Sequence, residues 1–149
     1  MKVLRDATLA DLEALVALGR DFCAHFGYPY VESVKRDALT RVLAEPSLGR
    51  LSLILSRDGE IAGYLFLSFT FSLEYGGRTA FVDEIFVRPD HRAAGLGSAA
   101  LRSALVTARA MGLTAVHLEA ERSNPRAAAL YVRLGFVDYD RKLLTLRLR

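Results

Sequence analysis

The segment "VRPDHRAAGLG", residues 87–97, sets Arg88, Asp90, His91 and Arg92 directly ahead of Gly95 and Gly97. A helix opening at those glycines would present N–H groups that lack intrahelical acceptors and carry about half a unit of positive charge, which is a seat for an anion. Removing Cβ at Gly95 and Gly97 would let a phosphate touch backbone, and Arg92 could add charge-assisted hydrogen bonds. Three readings of this loop follow: a phosphate site, a dinucleotide site or a tight turn. "GLGSAA" fits the G-x-G-x-x-A dinucleotide pattern, with Glu119 downstream for a ribose, yet seven residues separate it from the preceding strand, where the dinucleotide fold places its glycines almost at the strand end.

Asp83 and Glu84 lie just upstream in "TAFVDEIFVR", adjacent in a strand, so alternation sends them to opposite faces and at most one to any site. Asn124-Pro125 reads as a helix N-cap followed by the first helical residue. Ala127, Leu130, Tyr131 and Leu134 then form an i, i+3, i+4, i+7 stripe, which makes Tyr131 a core residue by pattern alone. His25, His91 and His117 have no metal-ligand spacing, and a lone Cys23 offers neither a zinc site nor an intramolecular disulfide. A reducing, cytoplasmic setting is the expectation.

The elements that must position these groups can be read from periodicity. A short strand near Val3 and Leu4 precedes a helix in "TLADLEALVALGRDF", with Thr8 as N-cap and Asp11 as a shortened capping box; a second helix, "VKRDALTRVLAE", stops before Pro46. "RLSLILSR" and "IAGYLFLSFTFSL" pair as a hairpin across "DGE", and "TAFVDEIFVR" follows "EYGGR" to complete an antiparallel meander. A helix from about Gly95 to Met111 then crosses to strand 114–121, parallel to strand 79–88, followed by helix "PRAAALYVRL" and two closing strands, "FVDYD" and "KLLTLRLR". The expected class is α/β, a mixed sheet with helices on both faces, in one domain spanning 1–149.

Arg-x-x-Gly-x-Gly in "RAAGLG", after the strand ending "DEIFVRPDHR" and before "NPRAAALYVRLGF", resembles the acetyl-CoA signature of the GNAT superfamily of N-acetyltransferases. The segment "FSLEYGGRTAFVDEIFVRPDHR" is similar to the diamine acetyltransferase branch in particular. The resemblance implies direct transfer of acetyl from acetyl-CoA to a primary amine of a small molecule or protein. It implies a pyrophosphate clasp made by the backbone of Arg92, Ala93, Ala94, Gly95, Leu96, Gly97 and Ser98. A pantetheine arm would pair with the strand edge at Ile85, Phe86 and Val87 and enter where strand 114–121 splays away, with Asn124 contacting the arm and an oxyanion donor near Ile85 or Phe86. It makes Glu84 the first candidate base and Asp83 the second, and Tyr131 the acid that protonates the departing thiolate. A phenol of pKa about 10 gives its proton to a thiolate of pKa about 8.5 at a cost of roughly 2 kcal/mol. Tyr28 and Tyr30, with Phe69, Phe71, Glu74 and Tyr75, would form the acceptor surface, where aromatic faces suit a cationic amine. The alternative is a non-catalytic acyl-CoA-binding module of the same fold.

Composition sets the outer limits. Of 149 residues 52% are hydrophobic, enough for one substantial core. The net charge of +3 comes without a basic run, so nucleic acid is not an expected partner. Only Lys2, Lys35 and Lys142 are lysine among twenty basic residues. No stretch approaches the roughly 20 apolar residues that span a bilayer. Leu144, Leu146 and Leu148 alternate on one face of the last strand, which could be shared in a homodimer or serve as an edge.

Overall fold

In the computed structural model, residues 2–149 are described, and the chain divides into two compact units, one ending at Glu119 and the other running Ala120–Arg149. The first unit holds strands β1 (Leu4–Asp6), β2 (Gly49–Leu55), β3 (Ile61–Ser72), β4 (Gly77–Val87) and β5 (Val116–His117), with helices α1 (Leu12–Phe26), α2 (Glu32–Ala44) and α3 (Leu96–Ala110). The strands form one sheet in the order β1-β2-β3-β4-β5. Neighbours are antiparallel as far as β4, and β5 runs parallel to β4. This is the mixed sheet expected.

Alternation along the strands assigns the helices to opposite faces. Leu51, Leu53, Tyr64 and Phe86 pack with Leu15, Val16, Leu18, Phe22 and Cys23 of α1 and Leu39 of α2. Ser52, Leu65 and Leu67, one position out of phase, line a cavity with Ser103, Ala104 and Thr107 of α3. Each fully buried aliphatic side chain in these layers contributes about 1.5–3 kcal/mol, so the sheet is fixed from both sides.

Local signals behave as their chemistry requires. Thr8 caps a one-turn 3-10 helix that leads into α1, and the Asp11 carboxylate accepts the Thr8 N–H at 2.8 Å. Arg5 braces Asp11 from β1 at 3.0 Å. At the other end of α1, Gly27 takes φ +70°, a left-handed conformation that ends the helix with its N–H on the Cys23 carbonyl.

The second unit contains α4 (Pro125–Arg133), capped as expected by Asn124, whose Oδ1 accepts the Ala127 N–H at 3.1 Å. The stripe expected on this helix is real: Ala127, Leu130, Tyr131 and Leu134 are half-buried, whereas Arg126, Ala129, Val132 and Arg133 are exposed. Two expectations are corrected. The strand expected over 114–121 keeps a ladder only at Val116 and His117, and residues 136–149 form neither closing strand. Alternation in "KLLTLRLR" supplies a strand's side-chain pattern, but a strand also needs a backbone partner, and this segment has no ladder in the described structure. An Asp138 carboxylate oxygen accepting the Asp140 N–H at 2.7 Å, with Asp140 at φ +57°, turns the chain there instead.

Candidate active site

The site begins with an irregularity in β4. Phe66 of β3 faces Glu84, but the next residue, Leu67, faces Val82, so Asp83 is an extra residue in the β4 ladder. A bulge of this kind re-aims side chains, and here it overturns the alternation expected from sequence: Asp83 and Glu84 line the same cavity. That cavity, about 120 Å³, is walled by Lys35, Ala38, Leu39 and Val42 of α2, by Leu51 of β2 and by Tyr64 and Phe66 of β3.

The two carboxylates have different surroundings. Glu84 Oε1 accepts from Lys35 Nζ and from the Tyr64 hydroxyl, each at 2.7 Å. Tyr64 is almost fully buried, and burial, reinforced by the Glu84 charge, pushes its phenol far above the usual range, so it stays a donor. Asp83 has no side-chain partner among the described residues. Asp83 is an exposed residue, yet partial burial of its carboxyl against the cavity, then the neighbouring Glu84 charge, raises its pKa, against a lowering influence from Lys35.

Beside the bulge, β4 loses its outer neighbour. The ladder to β5 consists of Ala80 with Val116 and Phe81 with His117, and stops there. Arg88 N–H bonds the Ala62 carbonyl of β3 at 2.8 Å, so alternation turns Phe86 to β3 and leaves the backbone groups of Ile85 and Val87 on the opposite edge. Of the three residues expected to offer that edge, Ile85 and Val87 do so. The Val87 carbonyl already accepts Arg92 Nε at 2.7 Å.

The loop after β4 leads into α3 with Ala93 at φ +36° and Gly95 at φ +70°. The first backbone bond into the helix is Ala99 N–H to the Gly95 carbonyl, so Leu96, Gly97 and Ser98 point N–H groups out of its N-terminus. A Cβ on Gly95 would meet no atom within 4 Å, and one on Gly97 would approach Val87 only to 3.7 Å. Beyond the adjoining residues, no side chain of the described residues other than Val87 comes within 4 Å of those two positions. The Arg92 guanidinium is turned across the Phe86 ring, 5.4 Å from its centre, with Nη1 3.2 Å from His25 Nε2. It braces the loop against α1.

The expected acceptor surface falls into two places. Tyr28 stacks on Phe26 at 5.6 Å and lies 5.7 Å from Phe22, whose ring is 6.2 Å from Tyr64. Tyr30 sits under the Arg20 guanidinium at 5.8 Å and packs on the same core. Glu74 and Tyr75 occupy the turn after β3, six register positions from the Phe66–Glu84 pair, about 20 Å along the strand. Tyr75 there lies 5.2 Å from the His117 ring. Phe69, with Arg78 over its ring, and the exposed Phe71 belong to this distal end.

In the second unit, Tyr131 is half-buried with its ring 6.1 Å from Phe136, and burial raises its phenol pKa. Sequence reasoning missed Lys35 and Tyr64. The spacing of Lys35, Leu39 and Val42, i, i+4, i+7 on one helix face, was the signal for the α2 wall. Among the described residues no group of three or more His, Cys, Asp or Glu could hold a metal ion, and no helix is long and apolar enough to cross a membrane.

The acetyltransferase (GNAT) family model matches residues 15–136. Mycothiol acetyltransferase of Clavibacter michiganensis subsp. michiganensis is 37% identical over 138 residues, which are 91% of this chain and 42% of that protein. Thialysine N-epsilon-acetyltransferase of Bos taurus is 32% identical over 90 residues, 57% of this chain and 52% of that protein. The chain thus spans about half the length or less of these relatives. Among solved structures, an integron cassette protein from the mobile metagenome of Cole Harbour Salt Marsh superposes with a TM-score of 0.87 at 35% identity, covering 99% of this chain and 91% of that one.

Proposed function

The chain belongs to the acetyltransferase (GNAT) family, and from that premise we propose that it transfers the acetyl group of acetyl-CoA directly to a primary amine. The observation that carries the proposal is the β4 bulge, which brings two carboxylates into one cavity beside an unpaired strand edge and an open helix N-terminus. The family match crosses from the first unit into the second, which supports treating 1–149 as one catalytic domain.

Acetyl-CoA, when bound, supplies an acetyl group activated as a thioester. The residues present fit it: the N–H groups of Leu96, Gly97 and Ser98 suit a pyrophosphate, the glycines leave room for it, and the outer edge of Ile85 and Val87 suits an extended amide-bearing arm. The Ile85 N–H, on that edge, is the candidate oxyanion donor.

An alkylammonium of pKa near 10 must lose a proton before it can attack. Asp83 is the cavity carboxylate with no side-chain partner, its pKa raised by burial and the Glu84 charge, and it takes that proton, directly or through water. Glu84, bonded to Lys35 and Tyr64, is committed within the cavity and leaves Asp83 as the carboxylate open to the amine. This reverses the order of the two acids that the sequence suggested. Tyr131, kept protonated by burial, is the proton donor for the thiolate, and Asn124 caps the helix that carries it.

The test is calorimetric titration with acetyl-CoA followed by thiol release with a panel of primary amines. Acetyl-CoA-dependent thiol release with at least one amine supports the enzyme. Binding without turnover on any amine would make the chain an acyl-CoA-binding module, and binding of NAD in place of acetyl-CoA would overturn the reading altogether.

A further inference from the structure

The acceptor cavity already contains an ammonium. Lys35 Nζ lies 2.7 Å from Glu84 Oε1, which also accepts the Tyr64 hydroxyl, and 5.7 Å from the centre of the Phe22 ring. A carboxylate with an aromatic face beside it is what an alkylammonium binds. Here the seat is taken by the chain's own lysine, with the side chains of Lys35 and Glu84 only 18% and 23% exposed.

The helix opposite is built to allow this. A Cβ on Gly19, in the interior of α1, would come within 2.6 Å of Lys35 Cε and 3.3 Å of Lys35 Cγ. Gly19 is not among the residues with a left-handed backbone, so α1 itself does not require glycine there. A glycine inside a helix costs about 1 kcal/mol relative to alanine. What that position gains in return is room for the Lys35 stem. The choice of lysine is also notable in a chain where seventeen of twenty basic residues are arginine, because a compact ammonium needs less room than a planar guanidinium.

The charges then count simply. Asp83 and Glu84 bring two negative charges to the cavity wall, Lys35 brings one positive, and one carboxylate is left for an incoming amine. Building on the acetyltransferase reading of this site, we propose that Lys35 is a specificity-determining residue that occupies the ammonium seat at Glu84 and restricts the acceptor to one cationic group within the cavity. A short monoamine meets Asp83 without opposition. A short diamine brings a second ammonium against Lys35 and is rejected by like-charge repulsion, a device that selects by penalising the wrong ligand. The resemblance to the diamine acetyltransferase branch therefore does not carry over to the charge of this cavity.

The experiment compares butylamine with 1,4-diaminobutane, by calorimetric binding to the protein and by kcat/KM for acetyl transfer, in wild type, Lys35→Met and Gly19→Ala. Methionine keeps the length and loses the charge; alanine at 19 leaves the lysine but displaces its stem. Wild type is expected to favour butylamine, and both variants to move the diamine-to-monoamine ratio at least tenfold toward the diamine in Kd and in kcat/KM. An unchanged ratio in folded Lys35→Met would overturn the proposal. So would wild type binding the diamine more than tenfold tighter than the monoamine, a measurement that needs no variant. Absence of thiol release with every amine would instead count against the enzyme reading, while the binding ratio would still decide the role of Lys35.

Discussion

Along its inner edge β4 pairs with β3 from Gly77 to Val87, whereas along its outer edge the ladder with β5 ends after Ala80 and Phe81. The two edges belong to one strand of one sequence, so composition does not distinguish them. The inner edge is closed by backbone contact so tight that Gly63 approaches the Phe86 carbonyl. The outer edge diverges just where the bulge at Asp83 begins, leaving Ile85 and Val87 facing outward beside the open N-terminus of α3. One edge holds the fold, and the other, without a strand partner beyond Phe81, is the one proposed to take the cofactor arm.

The largest effect should come from breaking the inner edge. A Cβ on Gly63 would lie 1.9 Å from the Phe86 carbonyl oxygen, which is backbone and cannot swing aside. Gly63→Ala is expected to cost about 3 kcal/mol and lower Tm by roughly 10 °C in a thermal melt followed by circular dichroism. A melt within 2 °C of wild type would mean that the two strands do not need their close approach.

The proposed chemistry depends on the bulge, and Asp83→Asn tests it next. Turnover with the best amine should fall about 100-fold, the usual contribution of a positioned proton acceptor. Wild-type kcat/KM should rise with pH through a limb set above the ordinary aspartate value of about 3.9, because burial and Glu84 raise the Asp83 pKa. Asp83→Asn should abolish that limb. If Glu84→Gln abolishes it and Asp83→Asn leaves it in place, the two acids exchange roles.

On the outer edge the contrast can be inverted. A Cβ at Gly97 would come no closer than 3.7 Å to Val87 Cγ2, so Gly97→Ala should change stability by less than about 1 kcal/mol. It would project into the space before the free amides, and the Kd for acetyl-CoA should rise at least tenfold by calorimetry. Loss of stability without loss of affinity would place Gly97 with Gly63, as a glycine the fold requires.

These outcomes also mark what a linear reading can and cannot reach. The meander, the crossover helix and the N-cap at Asn124 were legible because each depends on a local period or on one turn of backbone. The bulge was not, because alternation within "FVDEIFV" is a property of one strand, whereas the extra residue exists only relative to β3. Lys35 was hidden for a similar reason. Its partner Glu84 is 49 residues away, and the room for its stem depends on Gly19 in another helix. The closing strands failed in the opposite direction: Leu144, Leu146 and Leu148 satisfy the side-chain pattern of a strand, yet they are exposed at 84–90% in a segment without a ladder. Tyr131 was read both as core and as acid, and its half-burial leaves it suited to each.

The smallest expected effect separates the two carboxylates by stability. Burial raises the Asp83 pKa in the folded chain above its unfolded value near 3.9, so the folded state holds that proton more tightly. Below pH 3.9 both states are protonated and Asp83 costs nothing. As pH rises from there through the folded pKa, the unfolded chain ionises more readily and stability is lost, the full cost being present at neutral pH. Asp83→Asn should therefore raise Tm at pH 7 by about 1–2 °C, the modest size reflecting a side chain that still meets solvent, and the gain should vanish near pH 3.5. Glu84, whose charge is answered by Lys35 and Tyr64, should give no such gain on conversion to Gln, since the variant would leave the lysine ammonium in the cavity without its counter-charge. A Tm difference for Asp83→Asn that is flat from pH 3.5 to pH 7 would show that the carboxyl is fully solvated. The bulge would then present Asp83 to water instead of holding it against the cavity, and the division of labour between the two acids would fall with it.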